Sequence, residues 1–106
     1  MSAVVGVMDT LISLPHYPAE DTKLRAAASK PAGGGPVATG LIAAAKLGVP
    51  SAYIGVLSDD NGGKFLMNDF EKYGVSTDCI DVLSDYRSFT SVIWLSETSK
   101  TRTCVF

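Results

Sequence analysis

Cysteine, histidine and tryptophan are scarce in this sequence of 106 residues, which has two cysteines, one histidine and one tryptophan. Cys79 and Cys104 lie far apart and have neither the spacing of a zinc site nor that of a redox pair. We therefore favour free thiols over a disulfide and expect no bound metal at these residues. His16 follows Pro15 in a predicted turn, where we expect no catalytic role.

Dense runs of one charge and long apolar runs are also absent. Lys and Arg total 9 against 11 Asp and Glu, so the electrostatic pattern of nucleic-acid-binding proteins is missing. Every apolar run is far shorter than the roughly 20 residues that cross a bilayer. The first residues lack the basic leader and cleavage site of a secretory signal. We predict a cytoplasmic protein with no nucleic-acid or membrane partner.

What is present is an alternation of apolar strands and amphipathic helices. Buried strands are predicted at residues 3–8, 51–57 and 80–82, with extended residues continuing over 10–14. Helices are predicted over 36–47 and 60–73, and further strands at 22–29, 89–95 and 101–106, the last two antiparallel. This order is typical of an α/β layered fold with right-handed crossovers.

Each predicted helix has an apolar stripe that should face the sheet. The first stripe consists of Val37, Leu41, Ala44 and Leu47, and the second of Leu66, Phe70 and Tyr73. Gly48 and Gly74 end the two helices. Asp59 or Asp60 caps the second one, although paired carboxylates are also compatible with weak cation binding.

A glycine segment, Gly33-Gly34-Gly35-Pro36, directly precedes the first helix. Residues 31–36 should break regular structure. Glycines let a ligand approach the backbone, and the N–H groups of a helix start favour an anion or a hydroxyl-rich ligand. A turn that uses glycine only for its dihedral angles explains the segment equally well. No Gly-Lys-Ser/Thr follows, and the glycines do not come straight after the first strand, so neither a Walker A loop nor a dinucleotide fingerprint is present.

Five segments occur in the order found at the start of ribokinase-like (PfkB) carbohydrate kinases. They are residues 4–9, ending in Asp9, then 33–39 (Gly-Gly-Gly-Pro-Val-Ala-Thr), 44–50 (Ala-Ala-Lys-Leu-Gly-Val-Pro), 54–63 and 73–77. The sequence resembles that family over essentially its whole length. The glycine motif is most similar to the subgroup of sulfofructose kinases. Thr39 stands where the family usually has Asn, and Ser58 where it usually has Gly.

The resemblance implies an α/β fold, namely a ribokinase-like three-layer α/β/α sheet with a small β-lid, of which these residues form the N-terminal part. It implies that residues 10–30 and 88–106 supply lid strands and that 31–82 supply the α/β core. Phe89 and Trp94 would then pack within the lid. A homodimer through the lid is a further implication.

The resemblance also implies phosphoryl transfer from ATP, with Mg²⁺, to a sugar hydroxyl. Its sugar-binding residues would be Asp9 at the end of the first strand, Gly34, Gly35, Thr39 and Arg102. The family's catalytic Asp belongs to a Gly-x-Gly-Asp motif, which is not found here. No residue of this chain is therefore assigned as catalytic, and we expect the chain alone to be inactive. The alternatives are a nucleoside kinase of the same fold and a non-catalytic module for sugar binding or dimerisation.

Overall fold

The computed structural model describes residues 6–106, so residues 3–5 of the first predicted strand lie outside the described part. The described residues form six strands and two helices. In chain order these are β1 (Val7–Leu14), β2 (Ala28–Gly34), α1 (Pro36–Lys46), β3 (Ala52–Ser58), α2 (Asn61–Lys72), β4 (Ser76–Leu83), β5 (Phe89–Ser96) and β6 (Arg102–Val105). Both predicted helices and the strand expected at 51–57 are confirmed. Neither helix is long and apolar enough to cross a membrane, among the residues described.

The chain divides into two compact units. In the described part, unit 1 comprises residues 6–8 and Gly33–Phe89, and unit 2 comprises Asp9–Ala32 and Thr90–Phe106. Unit 1 therefore holds both helices and the strand pair β3–β4. Unit 2 holds most of the four-stranded sheet, whose strand order is β2-β1-β5-β6.

Unit 1 is built on a strand-helix-strand motif. Strands β3 and β4 are parallel, with Gly55 opposite Ile80 and Ser58 opposite Leu83. Helix α2 connects them, because parallel neighbours need a long crossover. Asp60 caps the helix by accepting a hydrogen bond from the N–H of Gly63 at 2.9 Å, which decides between the two predicted caps.

The core of unit 1 lies where α2 packs on β3. Tyr53 and Phe70 are completely buried and their rings stack with centroids 4.7 Å apart. Leu66 lies one turn before Phe70 on the same face of α2 and is also buried. Burying each such side chain stabilises the fold by roughly 1.5–3 kcal/mol. The predicted apolar stripe of α2 is confirmed for these two residues.

The predicted stripe of α1 is confirmed for Leu41, which packs against the core, and is wrong for Val37 and Leu47, which are exposed. Ala38 is the buried residue of this helix, and Leu41, Ile42 and Ala45 pack against the core beside it. Leu47, expected to face the sheet, is 84% exposed. Helix α1 is apolar almost all round, so periodicity alone does not select the inward face. The small side chain of Ala38 lets the helix approach closely.

The strands of unit 2 confirm the predicted antiparallel pair. In β5 and β6, Trp94 lies opposite Thr103 and Leu95 opposite Arg102. Two contacts show that β1 runs parallel to β5. Asp9 contacts Ser91 near the start of both strands, and the carbonyl of Leu14 accepts from the N–H of Glu97 at 2.9 Å near their ends.

Two expectations about the second strand are wrong. Strand β2 begins at Ala28, so residues 22–27 are not a strand, and it continues to Gly34 through the segment expected to be irregular. Pro31 is compatible with β2 because this strand is at the edge of the sheet, and on the open side of an edge strand an N–H has no ladder partner to lose.

Strand β3 buries one face only, not both as expected. Tyr53 and Leu57 are buried, whereas Ile54, on the opposite face, is 73% exposed and Val56 is also exposed. Val82 of β4 is exposed as well. The side-chain alternation of a strand puts these residues on two faces, and the helices of unit 1 pack on the one that carries Tyr53.

We predict that Gly63→Ala destabilises the chain by roughly 2–4 kcal/mol. A Cβ at Gly63 would lie 1.7 Å from the carbonyl oxygen of Ser58, so α2 would have to move away from β3. Urea unfolding followed by circular dichroism measures the change. Gly40→Ala is the matched control, because among residues 6–106 nothing beyond its chain neighbours and the backbone of its own helix lies within 4 Å of its Cβ position. It should stabilise α1 by up to about 1 kcal/mol. Equal unfolding midpoints for the two variants would contradict the close packing.

Candidate functional site

The glycine segment forms a sharp turn between β2 and α1. Buried Gly34 is the last residue of β2, and Pro36 is the first of α1. Between them Gly35 has φ 94° and ψ 138°. Only glycine adopts such a conformation without strain. Pro36 suits the first helical position, where its missing N–H would have no helical partner.

The start of α1 presents backbone donors. Among the described residues no side chain caps this end, and its first turn has no acidic residue. The N–H of Thr39 donates to the carbonyl of Gly35 at 3.0 Å. The N–H groups of Val37 and Ala38 precede this first helical hydrogen bond. With the positive end of the helix dipole, they suit a ligand oxygen. Thr39 is exposed on the same turn.

Asp69 lies against the glycine segment, which sequence reasoning did not foresee. Its Oδ2 atom is 2.5 Å from the position that a Cβ on Gly33 would take. Asp69 is half-buried. It lies three residues after Leu66, a spacing that puts two side chains on neighbouring parts of one helix face. This spacing from Leu66 is the sequence feature that could have predicted the partly buried position of Asp69.

Asp9 lies inside β1 and not at its end, which corrects the expected position. The strand continues to Leu14 because residues 10–14 are β-prone. The carboxylate of Asp9 is half-buried, and its Oδ1 atom accepts a hydrogen bond from the hydroxyl of Ser91. Ser91 lies on β5, the hydrogen-bonded neighbour of β1.

The expected sugar-binding residues belong to both units. Gly34, Gly35 and Thr39 lie together in unit 1 at the start of α1, whereas Asp9 and Arg102 belong to unit 2. Arg102 is exposed at the first position of β6.

The other candidates carry no identified chemistry. His16 is exposed, and Trp94 is half-buried on β5. Cys79 and Cys104 are exposed free thiols, as expected. No three His, Cys, Asp or Glu side chains of residues 6–106 form a group that could hold a metal ion. No step through Mg²⁺ is assigned to these residues.

Asp60 ties the start of α2 to the segment before β5. Besides accepting from the N–H of Gly63, its carboxylate accepts hydrogen bonds from the hydroxyl of Ser88 at 2.6 Å and from the N–H of Ser88 at 3.0 Å. The hydroxyl of Ser58 donates to the carbonyl of Tyr86 at 2.5 Å and accepts from the N–H of Asp60 at 3.1 Å. The segment before β5 is thus hydrogen-bonded to Ser58 through Tyr86 and to Asp60 through Ser88.

These hydrogen bonds hold the pKa of the Asp60 carboxyl well below its usual range. The hydroxyl of Ser88 makes the largest contribution, followed by the N–H groups of Ser88 and Gly63. All three donate to the ionised form and so stabilise it. Asp60 is therefore explained as a structural residue, and the weak cation site considered for Asp59 and Asp60 has no support in this geometry.

Comparison with known proteins identifies the family. A family model described as pfkB family carbohydrate kinase matches residues 1–106, the whole chain. A curated relative from Archaeoglobus fulgidus, described as an uncharacterized sugar kinase, is 42% identical over 52 residues. Those residues are 49% of this chain and 20% of the relative.

Solved ribokinases have the same fold. The ribokinase of Giardia lamblia superposes with a TM-score of 0.83 at 19% identity, covering 97% of this chain and 33% of its own. The ribokinase of Arabidopsis thaliana, solved with ribose and ATP, gives 0.80 at 20% identity, covering 97% and 33%. The predicted ribokinase-like α/β fold is confirmed. The chain spans about a fifth of the curated relative and about a third of these kinases.

We predict that Asp60→Asn lowers the free energy of unfolding by roughly 0.5–2 kcal/mol at neutral pH. An Asn side chain can still cap Gly63 through its oxygen, but its NH₂ group replaces the charged oxygen that accepts from the N–H of Ser88. Because folding lowers the pKa of Asp60, its contribution is complete above the unfolded value of about 4 and is lost as the pH falls below it. The difference from wild type should therefore shrink between pH 5 and acid. Urea unfolding at a series of pH values measures it.

Asp59→Asn is the control for this experiment. Asp59 is exposed and adjacent, and its side chain makes none of the hydrogen bonds that hold Asp60. Its effect should stay within about 0.5 kcal/mol. A pH-independent difference for Asp60→Asn would show that the ionised carboxylate is not the stabilising group.

Proposed function

Because this chain belongs to the pfkB family of carbohydrate kinases, we propose that the whole protein transfers the γ-phosphate of ATP to a sugar hydroxyl. The chain covers about a third of the solved ribokinases. Its own share of the work would be to bind and orient the sugar. Orientation contributes strongly to phosphoryl transfer, which depends on positioning and charge stabilisation.

The turn at Gly35 carries the proposal. Its positive φ brings β2 directly into α1, so that the backbone N–H groups of the first turn are free of side-chain caps among the described residues. Gly34 and Gly35 have no side chains that would keep a sugar away from the backbone. Thr39, one turn into the helix, offers a hydroxyl that can donate to or accept from a sugar oxygen.

Asp9 and Arg102 are the proposed sugar ligands of unit 2. The carboxylate of Asp9 accepts one hydrogen bond from Ser91 and can accept several more, which suits sugar hydroxyl donors. Arg102 is exposed and provides a cation for an acidic substituent. Residues 10–30 and 88–106 are proposed as a lid that excludes water from the transferring group and supports a homodimer.

The substrate is proposed to be a sugar or sulfosugar. The glycine motif at 33–39 supports the sulfofructose kinase-like subgroup, and a sulfonate would suit Arg102. ATP is the proposed donor. The catalytic base is expected in sequence beyond these 106 residues, so we assign none here. The protein is proposed to act in the cytoplasm, without a nucleic-acid or membrane partner.

We predict that the full reading frame of the gene consumes ATP with a sugar or sulfosugar, and that the 106-residue chain alone does not. ATP consumption is measured across a panel of sugars, sulfosugars and nucleosides. ATP consumption with nucleosides and with no sugar would show that the protein is a nucleoside kinase and not a sugar kinase. Activity of the short chain would show that the catalytic base lies among its own acids. Sugar binding without ATP consumption by either protein would favour a binding module.

We predict that Asp9→Asn raises the sugar KM of the full-length kinase roughly tenfold to a hundredfold, because a hydrogen bond to a charged group is worth about 1.5–3 kcal/mol. The ATP KM should not change. Asp21→Asn is the control, since Asp21 is an exposed turn residue of the same unit. Equal sugar KM values for the two variants would remove Asp9 from the site.

A further inference from the structure

Ser91 differs from the other buried polar residues of the described chain. Three serines are buried there, Ser58, Ser91 and Ser96. The hydroxyls of Ser58 and Ser96 make hydrogen bonds with backbone groups of nearby turns. The hydroxyl of Ser91 instead donates to a side chain, the carboxylate of Asp9. A buried hydroxyl thus contacts a proposed sugar ligand.

The position of Ser91 would suit an apolar residue. It is 5% exposed and lies on the same face of β5 as buried Ile93. A buried hydroxyl without a partner destabilises a fold by roughly 1–3 kcal/mol. The hydrogen bond to Asp9 offsets this loss. An apolar side chain would fill the space without needing a partner, so the hydroxyl points to a role at the carboxylate.

The hydrogen bond restricts the orientation of the Asp9 carboxylate. Strands β1 and β5 are neighbours in the sheet, so the backbones of Asp9 and Ser91 are held relative to each other. The single hydroxyl proton of Ser91 goes to Oδ1. Hydrogen bonds to an ionised acceptor are shorter and stronger than neutral ones. Rotation of the carboxylate away from Ser91 would break this bond, whereas Oδ2 accepts no hydrogen bond from residues 6–106.

We infer that Ser91 is a positioning residue for sugar binding. By donating to Oδ1, it holds the Asp9 carboxylate so that Oδ2 accepts hydrogen bonds from sugar hydroxyls. The inference rests on the proposed function, in which Asp9 binds the sugar, and Ser91 itself does not touch the sugar. Because Asp9 is ordered on folding, its entropy is not lost on binding, which strengthens sugar affinity.

The test compares variants of the full-length kinase by steady-state kinetics with both substrates. Ser91→Ala should raise the sugar KM about tenfold and leave the ATP KM unchanged. Ser91→Thr keeps the donor and should restore most of the sugar affinity. In the Asp9→Asn background Ser91→Ala should change the sugar KM by less than about twofold, because the two residues act through one interaction.

Ser96→Ala is the matched control, because Ser96 is equally buried on the same strand and bonds to the N–H of Ser99. Its sugar KM should stay within about twofold of wild type. If Ser91→Ala behaves like Ser96→Ala, the positioning role is overturned. An undiminished effect of Ser91→Ala in the Asp9→Asn background would overturn it as well.

Failure of the proposed function is a distinct outcome. If wild type phosphorylates no sugar, both proposals fall. If wild type phosphorylates a sugar but Asp9→Asn keeps the wild-type sugar KM, Asp9 is not a sugar ligand, so the role of Ser91 falls and the proposed kinase function stands. Circular dichroism and the thermal midpoint check that each variant folds. If Ser91→Ala does not fold, Ser91→Cys takes its place, because its thiol is of similar size but a weak donor, and the sugar KM should again rise.

Discussion

Close packing of α2 on β3 is the contact on which the rest of unit 1 depends. Gly63 lies so near the backbone of Ser58 that no side chain fits between helix and strand. One turn later Leu66 enters the core, followed by Phe70 on the ring of Tyr53. Because the helix starts this close to the strand, its cap reaches the segment before β5 as well. A single contact therefore orders the strand pair and the segment that follows it.

Two of the groups proposed to bind the sugar, the N–H donors at the start of α1 and the carboxylate of Asp9, are held before a ligand arrives. The donors of the first turn of α1 are fixed by the backbone of Gly35. The carboxylate of Asp9 is fixed by a neighbouring strand. Such preorganisation lowers the entropy lost on binding.

The elements of this fold could be read from the sequence where side chains alone decide them. The stripe of Leu66 and Phe70, a cap at Asp59 or Asp60 and the pair β5–β6 follow from spacing and local chemistry. The face of α1 could not be chosen, because Ala38 and Leu47 both belong to acceptable helical stripes. The ends of β1 and β2 depend on partners in the sheet, which local propensity does not contain. The contact between Asp9 and Ser91 joins residues distant in sequence, so no local pattern announced it.

The place of the single tryptophan has a practical consequence. Trp94 is half-buried on β5 in unit 2, three positions after Ser91. Unit 1 has no tryptophan, and its tyrosines are Tyr53, Tyr73 and Tyr86. Emission excited selectively at the indole therefore originates in unit 2 alone. The molecule carries a native optical probe, so the melting of unit 2 and any rearrangement around β5 can be followed without a label.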